Sequence, residues 1–393
     1  MKMRRTNTFS LAPTEKQEAF LMERADGCAR LWNELTYRRR QSFFDGKINW
    51  SSKDLYDKYK GIVGSATAQQ IQRKNNDAWK SFFTLLKMKK EGRLPEHIEH
   101  ISPPYYWKDK NTGERKALIL ARCDCYRING NVLKLPNKLG VEWKGNPKWK
   151  GKQGLLTIIH DKVRGKWYAR QSVEVKPLHK PLSKKRAYID LGVLELITVV
   201  VDGEKQANAY SGRPALADWW YVSHRIDELK SVAKETNGKR TTKQVRSLYK
   251  RRTLRFRQYV NTAVRWAVER LWRSGVAKIY VGDLKDIGTN VKGGRKTNTM
   301  VNNFWSHRYL QQRIREVAEE YGIKVELVNE RGTSSKCPWC GSAEVVKRGR
   351  LLKCKACGIE AHRDVAGALN ISAVCGSRGQ ANGVVAHPLE VRI

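Results

Sequence analysis

Two pairs of cysteines near the end of the chain have the spacing of a metal site. Cys337 and Cys340 form one C-x-x-C unit, Cys354 and Cys357 form a second, and thirteen residues separate the units. Each unit presents two thiolates from one tight turn, so two units supply the four ligands of a closed tetrahedral zinc site. The sequence therefore predicts one structural Zn²⁺ that supports folding and leaves no open position for catalysis.

Two aspartates lie in contexts that suit a second kind of metal chemistry. Asp190 ends an apolar run in Ala187-Tyr-Ile-Asp190-Leu-Gly192, and Asp364 closely follows the second cysteine pair in His362-Arg-Asp364. Phosphodiester hydrolysis by two divalent ions about 4 Å apart needs several carboxylates to hold the ions. We therefore expect a nuclease that uses two Mg²⁺ ions, with Mn²⁺ able to replace them.

The composition restricts the partner and the compartment. Lys and Arg total 77 against 38 acidic residues, a net charge of +39 over 393 residues, which predicts binding to nucleic acid rather than to a membrane. No apolar run approaches the ~20 residues of a membrane-spanning helix, and the first residues lack the apolar segment of a secretory signal. The other four cysteines, Cys28, Cys123, Cys125 and Cys375, show no disulfide framework, so we expect a cytoplasmic protein.

The hydrophobic pattern predicts a multidomain chain of α+β and α/β type. A short N-terminal strand precedes a helical bundle that extends to about Glu91, and β-type runs then occupy about 116–176. This region reads as a small β-barrel or sheet completed by the N-terminal strand. A linker rich in proline and lysine follows at 177–185 and marks the start of a second domain.

The second domain has the pattern of a mixed sheet with helices. A strand ending at Asp190 begins a hairpin, and two later strands, ending near Asp283 and Asn329, each follow a helix. Strands joined through helices usually add in parallel, so the carboxyl ends of these three strands should lie along one edge. One helix should bury a stripe formed by Phe256, Val260, Val264, Ala267, Val268 and Leu271.

These motifs resemble a known family of nucleases. Ala187-Tyr-Ile-Asp190-Leu-Gly192, Thr333-Ser-Ser-Lys-Cys337 and His362-Arg-Asp364-Val-Ala-Gly-Ala-Leu-Asn-Ile371 are similar to the split RuvC nuclease of transposon-encoded TnpB proteins, relatives of compact type V CRISPR effectors and Fanzor proteins. The resemblance implies an RNA-guided DNA endonuclease of the cytoplasm and nucleoid. Its partners would be a guide RNA, double-stranded DNA and the displaced single strand, with one protein monomer per RNA and the protein reading a short adjacent motif.

The resemblance also implies a domain plan. A helical recognition bundle would be inserted in the β-barrel and followed by a RuvC/RNase H-like mixed sheet that carries a zinc-ribbon insertion. The expected boundaries are 1–12 with 100–180 for a wedge-like β-barrel, 13–99 for the helical recognition domain, 181–374 for the RuvC-like domain, 331–360 for the zinc ribbon, and 375–393 for a flexible tail.

The second catalytic carboxylate departs from the family pattern. The family commonly has glutamate where this chain has Gly282, so three hypotheses remain. Glu330, at the end of the next strand, would supply the charge together with Asp190 and Asp364, and this is the preferred hypothesis. Asp283 would need a bulge to turn it to the correct face. The third hypothesis is an inactive site in an RNA-guided DNA binder or repressor.

Two further alternatives belong to other classes of protein. His362-Arg-Asp364 followed by Asn370 resembles the catalytic loop of protein kinases, but the spacing is one residue too long and no glycine-rich nucleotide loop accompanies it. A zinc-ribbon DNA-binding protein without catalysis would account for the cysteines and the charge. It would leave Asp190 and Asp364 without a role.

Overall fold

A computed structural model describes residues 2–95, 98, 100–109, 113–136, 139–238, 241–284, 294–329, 335–376 and 386–391. The chain divides into two compact units, Lys2–Val175 and Lys176–Ile393. Among the helices of the described ranges, none combines the length and apolar character that crossing a bilayer requires. Each unit is described separately below.

In its described residues, the first unit combines three helices with one antiparallel sheet. Its elements are β1 (Met3–Ala12), α1 (Glu15–Phe44), α2 (Lys53–Val63), α3 (Ser65–Lys90), β2 (Leu118–Ala121), β3 (Arg127–Asn129), β4 (Val132–Leu135), β5 (Leu139–Lys144), β6 (Lys152–Asp161) and β7 (Lys166–Val175). The strand order is β2-β6-β7-β1-β5-β4-β3. The N-terminal strand therefore lies inside this sheet, paired with β7 and β5.

The helices and the sheet of the first unit share one hydrophobic core. The core joins Leu21 and Leu31 of α1, Ile71 of α3, and Leu156 and Trp167 of the sheet. The sequence suggested two domains here, a bundle at 13–99 and a barrel. In the structure the helices bury apolar residues against the strands, so one hydrophobic core spans both parts.

The second unit contains a six-stranded sheet, a three-stranded sheet and further helices. Its elements are β8 (Lys185–Asp190), β9 (Glu195–Val201), β10 (Asn208–Ser211), α4 (Arg213–Asn237), α5 (Lys243–Arg273), β11 (Val276–Asp283), α6 (Arg295–Thr299) with a π-helical turn (Met300–Phe304), α7 (His307–Glu320), β12 (Lys324–Asn329), β13 (Val345–Arg348), β14 (Leu351–Cys354), β15 (Glu360–His362), α8 (Arg363–Val374) and β16 (Leu389–Val391).

The larger sheet has the order β12-β11-β8-β9-β10-β16. β8, β9 and β10 form an antiparallel meander, and β11 and β12 add in parallel beside β8. The expectation that these strands end along one edge is therefore confirmed for Asp190, Asp283 and Asn329. Glu330, the residue that was expected to act there, lies outside the described residues.

The two faces of this sheet carry different helices. On one face Ile189, Val199 and Val281 belong to the core formed with α5 and α7, and the predicted stripe of α5 is buried there. On the other face Val200 contacts Val365, Ala368 and Leu369 of α8. Because neighbouring residues of a strand face opposite sides, Asp190 lies on the face that α8 covers.

The end of the chain differs from the expected flexible tail at 375–393. Leu389–Val391 forms β16, which pairs in parallel with β10. The Leu389 N–H donates to the Ala207 carbonyl at 2.9 Å, and the His362 N–H donates to the Ala386 carbonyl at 2.9 Å. The strand forms because β10 offers its open edge, and the glycine-rich composition before it gave no sign of this pairing.

Candidate active site and metal centre

Asp190 lies at the carboxyl end of β8, the central strand of the sheet between β9 and β11. Ala187, Tyr188 and Ile189 before it are buried, so the strand fixes the backbone from which Asp190 projects. Gly367 of α8 lies against its carboxylate: a β-carbon at Gly367 would be 3.1 Å from Cγ of Asp190. A side chain at this position would force Asp190 to shift by a few tenths of an ångström, so α8 lies directly over Asp190.

Asp364 is the second residue of α8 and is almost buried, with 5% of its surface exposed. Its Oδ2 accepts a hydrogen bond from Nη1 of Arg350, and its Oδ1 accepts one from Nε of Arg363 at 3.3 Å. Asp364 and Gly367 are three residues apart on the helix and therefore lie on the same side. The structure thus brings Asp364 and Asp190 to one region beneath the N-terminal half of α8.

The loop after β8 supports the same conclusion. Gly192 follows Asp190 by two residues in the chain. A β-carbon at Gly192 would lie 3.9 Å from Oδ2 of Asp364. Two carboxylates gathered at the end of a central strand form the kind of oxygen donor set that Mg²⁺ or Mn²⁺ binds. The two aspartates are thus residues of the type that holds such ions, while in the described ranges the group of three or more converging ligands is the four-cysteine cluster.

Asp283 does not join these carboxylates. The pairing of β11 with β12 is regular from Lys278 to Asp283, so the bulge that Asp283 would need is not present there. Val281, two residues earlier, is buried against α5 and α7, and strand alternation places Asp283 on that same face. Burial lowers the pKa of His307 at the start of α7, and Asp283 is one of the groups that oppose this shift. The hypothesis that Asp283 replaces the glutamate is not supported.

The four predicted cysteines form a compact cluster. All four sulfur atoms lie within 4.8 Å of one another, with 3.7 Å between Cys337 and Cys357 and 3.5 Å between Cys340 and Cys354. Tetrahedral Zn–S bonds of about 2.3 Å require sulfur separations of about 3.8 Å, so the cluster fits Zn²⁺. Backbone N–H groups, first that of Cys357, lower the pKa of Cys354 to about 7, whereas burial raises the pKa of Cys337 to about 12.

The two cysteine pairs form similar turns. The Gly341 N–H donates to the Cys337 carbonyl at 2.9 Å, and the Gly358 N–H donates to the Cys354 carbonyl at 3.1 Å. Both glycines have a positive φ, 77° at Gly341 and 76° at Gly358, which other residues rarely adopt. Each pair is therefore held by a tight turn that points both sulfur atoms toward the same centre.

The cysteine ribbon, residues 335–362, is attached to α8 by several contacts. Trp339 in the first cysteine turn contacts the cluster of Val365 and Leu369. Asn370 Nδ2 donates to the Lys336 carbonyl at 2.9 Å, and β15 leads directly into α8. The ribbon therefore fixes the helix that carries Asp364.

Arg350 is a residue that the sequence did not single out. It lies at the turn between β13 and β14, where its carbonyl accepts the Arg363 N–H at 2.8 Å while its side chain pairs with Asp364. Its separation from Asp364 by fourteen residues matches no local motif, and it is one of 77 basic residues. Only the folded ribbon identifies it as a neighbour of the carboxylates.

Comparisons with known proteins identify the relatives of this chain. Residues 170–288 match the family described as "Probable transposase", and residues 307–371 match the family described as "Cas12f1-like, TNB domain". The chain is 28% identical over 225 residues to "CRISPR-associated endodeoxyribonuclease Cas12f1" of Sulfoacidibacillus thermotolerans, covering 55% of this chain and 52% of that protein.

A solved structure has a similar fold. It is described as "Cryo-EM structure of the Cas12f1-sgRNA-target DNA complex", with a TM-score of 0.60 at 13% identity, covering 91% of this chain and 83% of that one. A viral relative, "TnpB-like protein ORF457" of Acidianus two-tailed virus, is 36% identical over 401 residues, which cover 94% of this chain and 86% of that protein. At this identity, over nearly the full length of both proteins, the chain belongs to the TnpB family.

Proposed function

We propose that this protein is an RNA-guided DNA endonuclease. It would cleave double-stranded DNA that matches a transposon-derived guide RNA, beside a short motif that the protein reads, by metal-dependent phosphodiester hydrolysis. Three findings support this proposal. The chain belongs to the TnpB family, one relative is named as an endodeoxyribonuclease, and a solved structure of similar fold is a complex with guide RNA and target DNA. The net charge of +39 supplies the electrostatic attraction that polyanionic partners require.

The observation that carries the proposal is the position of Asp190 and Asp364. Both lie on one face of a sheet with the order β10-β9-β8-β11-β12, antiparallel in its first three strands and parallel in its last two. Gly367 lies against one carboxylate and is one helical turn from the other. This supports a RuvC/RNase H-like nuclease domain, in which the cutting site lies at the end of the central strand.

Each residue has a defined role in this proposal. Asp190, Asp364 and Glu330 would hold two Mg²⁺ ions. The ions, when bound, would activate the attacking water and stabilise the leaving oxygen. Arg350 orients the Asp364 carboxylate through a charge-assisted hydrogen bond, and α8 covers the carboxylates and limits the access of bulk water.

One structural Zn²⁺ completes the proposal. Cys337, Cys340, Cys354 and Cys357 would close its coordination sphere, so this ion would take no part in the hydrolysis. Its role would be to keep the ribbon folded, and the ribbon in turn holds Arg350 and the start of α8 in place.

The basic side of α5 supports contact with the nucleic-acid backbone. Arg251 is exposed, whereas Arg252 stacks over Trp219 at 4.4 Å, Arg255 pairs with Asp218, and Arg257 stacks over Tyr309 at 5.2 Å. Arg251 is therefore better placed to bind phosphate than the other three. The proposal also includes the prediction from the sequence that one protein monomer binds one guide RNA and acts in the cytoplasm.

The central experiment is to purify the protein with the RNA that it retains in cells. Sequencing that RNA should give one defined guide whose 3′ or 5′ segment specifies a DNA target. The complex should then cut a duplex that matches this segment when Mg²⁺ is present, and it should leave a mismatched duplex intact. A complex that retains no defined RNA, or that never cuts a matched duplex, contradicts the proposal.

A second candidate function, guided DNA binding without cleavage, has one observation in its favour. The glutamate position on β11 is Gly282, and Asp283 faces the other side of the sheet. Glu330→Ala therefore decides between the candidates: it should abolish cleavage while guide-dependent DNA binding persists. Wild-type binding without cleavage would favour the repressor, and full cleavage by the variant would remove Glu330 from the site.

A further inference from the structure

A third carboxylate, Glu195, lies at the start of β9, five residues after Asp190 in the hairpin. All residues of β9 are buried, and Glu195 is only 1% exposed. A carboxylate is costly to bury without a compensating cation or hydrogen bonds. Apart from Thr198 the other residues of β9 are apolar, so the position of Glu195 beside the proposed nuclease site needs a physical reason.

A β-bulge turns Glu195 toward the face that holds Asp190. Tyr210 of β10 pairs with Ile197 of β9, but the next residue, Ser211, pairs with Glu195, so Leu196 has no partner opposite it. Leu196 and Ile197 both belong to the core on the α5 and α7 face, so Glu195 is directed to the α8 face. Bulges commonly re-aim side chains in this way beside active sites.

The carboxylate of Glu195 forms no hydrogen bond within the described part of the chain. Both of its oxygens are buried, and Oε1 forms an ion pair with Nη2 of Arg213 at 3.4 Å that is not a hydrogen bond. Burial is the largest cause of the raised pKa of Glu195, which Glu390 and Asp364 raise further and which Arg213 and Arg350 oppose. The acid therefore lies in the same electrostatic environment as Asp364 and its arginine.

The backbone geometry places Glu195 and Asp364 close together. The point where a β-carbon of Gly192 would lie is 2.7 Å from the Glu195 carbonyl oxygen and 3.9 Å from Oδ2 of Asp364. Gly192 therefore lies between the start of β9 and the start of α8. Glu195 approaches the centre from the β9 side, whereas β11 and β12 lie on the other side of β8.

We propose that Glu195 is a further carboxylate of the metal centre, shared with the divalent cation that Asp364 holds. This inference rests on the proposed function, since the same centre would be used for hydrolysis. A divalent cation would compensate the buried negative charge of Glu195, which accepts no hydrogen bond from the described residues. It would also supply, from β9, negative charge that Gly282 cannot supply from β11.

The test measures metal binding directly, apart from activity. The full-length, zinc-loaded chain is titrated with Mn²⁺ and free Mn²⁺ is followed by electron paramagnetic resonance, without RNA, because RNA itself binds Mn²⁺. Glu195→Gln should weaken binding about tenfold or more, while Glu195→Asp should weaken it less, because the charge remains. The matched control is Glu320→Gln, which removes another carboxylate that is 1% exposed but is bonded to both terminal nitrogens of Arg265.

Unchanged Mn²⁺ affinity in Glu195→Gln would overturn the inference. The inference would also fail if Glu195→Gln bound Mn²⁺ normally and its melting temperature, in the zinc-loaded protein without Mn²⁺, fell as far as that of Glu320→Gln, which would make Glu195 a structural partner of Arg213. If Glu195→Gln does not fold, normal Mn²⁺ binding by Glu195→Asp counts against the inference and weakened binding supports it. A wild-type protein that binds Mn²⁺ through Glu195 but never cuts DNA would contradict the nuclease proposal alone.

Discussion

Gly367 lies directly against the carboxylate of Asp190. A β-carbon at this position would be 3.1 Å from Cγ and 3.2 and 3.3 Å from the two carboxylate oxygens of Asp190. The helix therefore approaches the strand end as closely as a residue without a side chain allows. This contact, between residues 177 positions apart, sets the position of one proposed metal ligand.

Gly367→Ala should displace Asp190 by a few tenths of an ångström and lower DNA cleavage about tenfold or more, because small misplacements of catalytic groups are costly. Stability should not fall, since alanine favours a helix by about 1 kcal/mol over glycine. Cleavage rates and thermal melting would be measured together. Gly61→Ala in α2 is the control, because its β-carbon would meet open space. Unchanged cleavage in Gly367→Ala would mean that Asp190 tolerates the displacement.

Arg350→Ala should destabilise the protein that holds zinc but no Mg²⁺ or Mn²⁺, because within the described ranges it leaves the nearly buried Asp364 with the half-exposed Arg363 as its remaining ion-pair partner. We expect a loss of about 1–3 kcal/mol without added Mg²⁺ or Mn²⁺ and a smaller loss with saturating Mn²⁺, since the metal replaces the missing positive charge. Denaturant unfolding in the two conditions measures the difference. Arg348→Ala, an exposed residue of the same hairpin, should behave as wild type. Equal losses with and without Mn²⁺ would exclude a metal at Asp364.

Cys354→Ser should remove zinc and uncouple the ribbon from α8. Without a folded ribbon the contacts of Trp339 and Arg350 with α8 are lost, so cleavage should fall by about a hundredfold or more and the melting temperature should fall as well. Zinc content, melting and cleavage would be measured on the same preparation. Cys123→Ser, which changes an exposed cysteine outside the cluster, should leave all three unchanged. Normal melting and full cleavage by Cys354→Ser would disprove the coupling.

His160 should make the first unit less stable in mild acid. Burial lowers the pKa of His160 below its ordinary value of 6.5, although Glu18 opposes this, so the fold favours the neutral ring. The stabilisation is present above pH 6.5 and is lost as the pH falls through the pKa of the folded state. His160→Phe, which keeps a ring against Trp167, should therefore lose less stability than wild type between about pH 7.5 and about pH 5.5. The exposed His100→Phe is the control, and equal pH dependence in His160→Phe and wild type would contradict the prediction.

Much of the fold follows from local patterns along the chain. The apolar stripe from Phe256 to Leu271 predicts a helix with one buried side, and the structure confirms it because side-chain periodicity is a local property. The parallel addition of β11 and β12 beside β8 also follows from the order of the elements. The shared core of the first unit and the strand β16 were not predicted, because both depend on which surfaces meet after the chain has folded.

The amino-acid sequence by itself determined the residue types that do chemistry: two cysteine pairs with zinc spacing, Asp190 at a strand end, and Asp364 after the second pair. These motifs are short and local, so they can be recognised in the sequence without a structure. Only the tertiary structure decided which distant residues join them. Arg350 reaches Asp364 across a folded hairpin, a bulge in β9 leaves Leu196 without a partner beside Glu195, and regular pairing turns Asp283 away. Strand register and helix docking set these directions, and both arise from long-range packing that no short motif encodes.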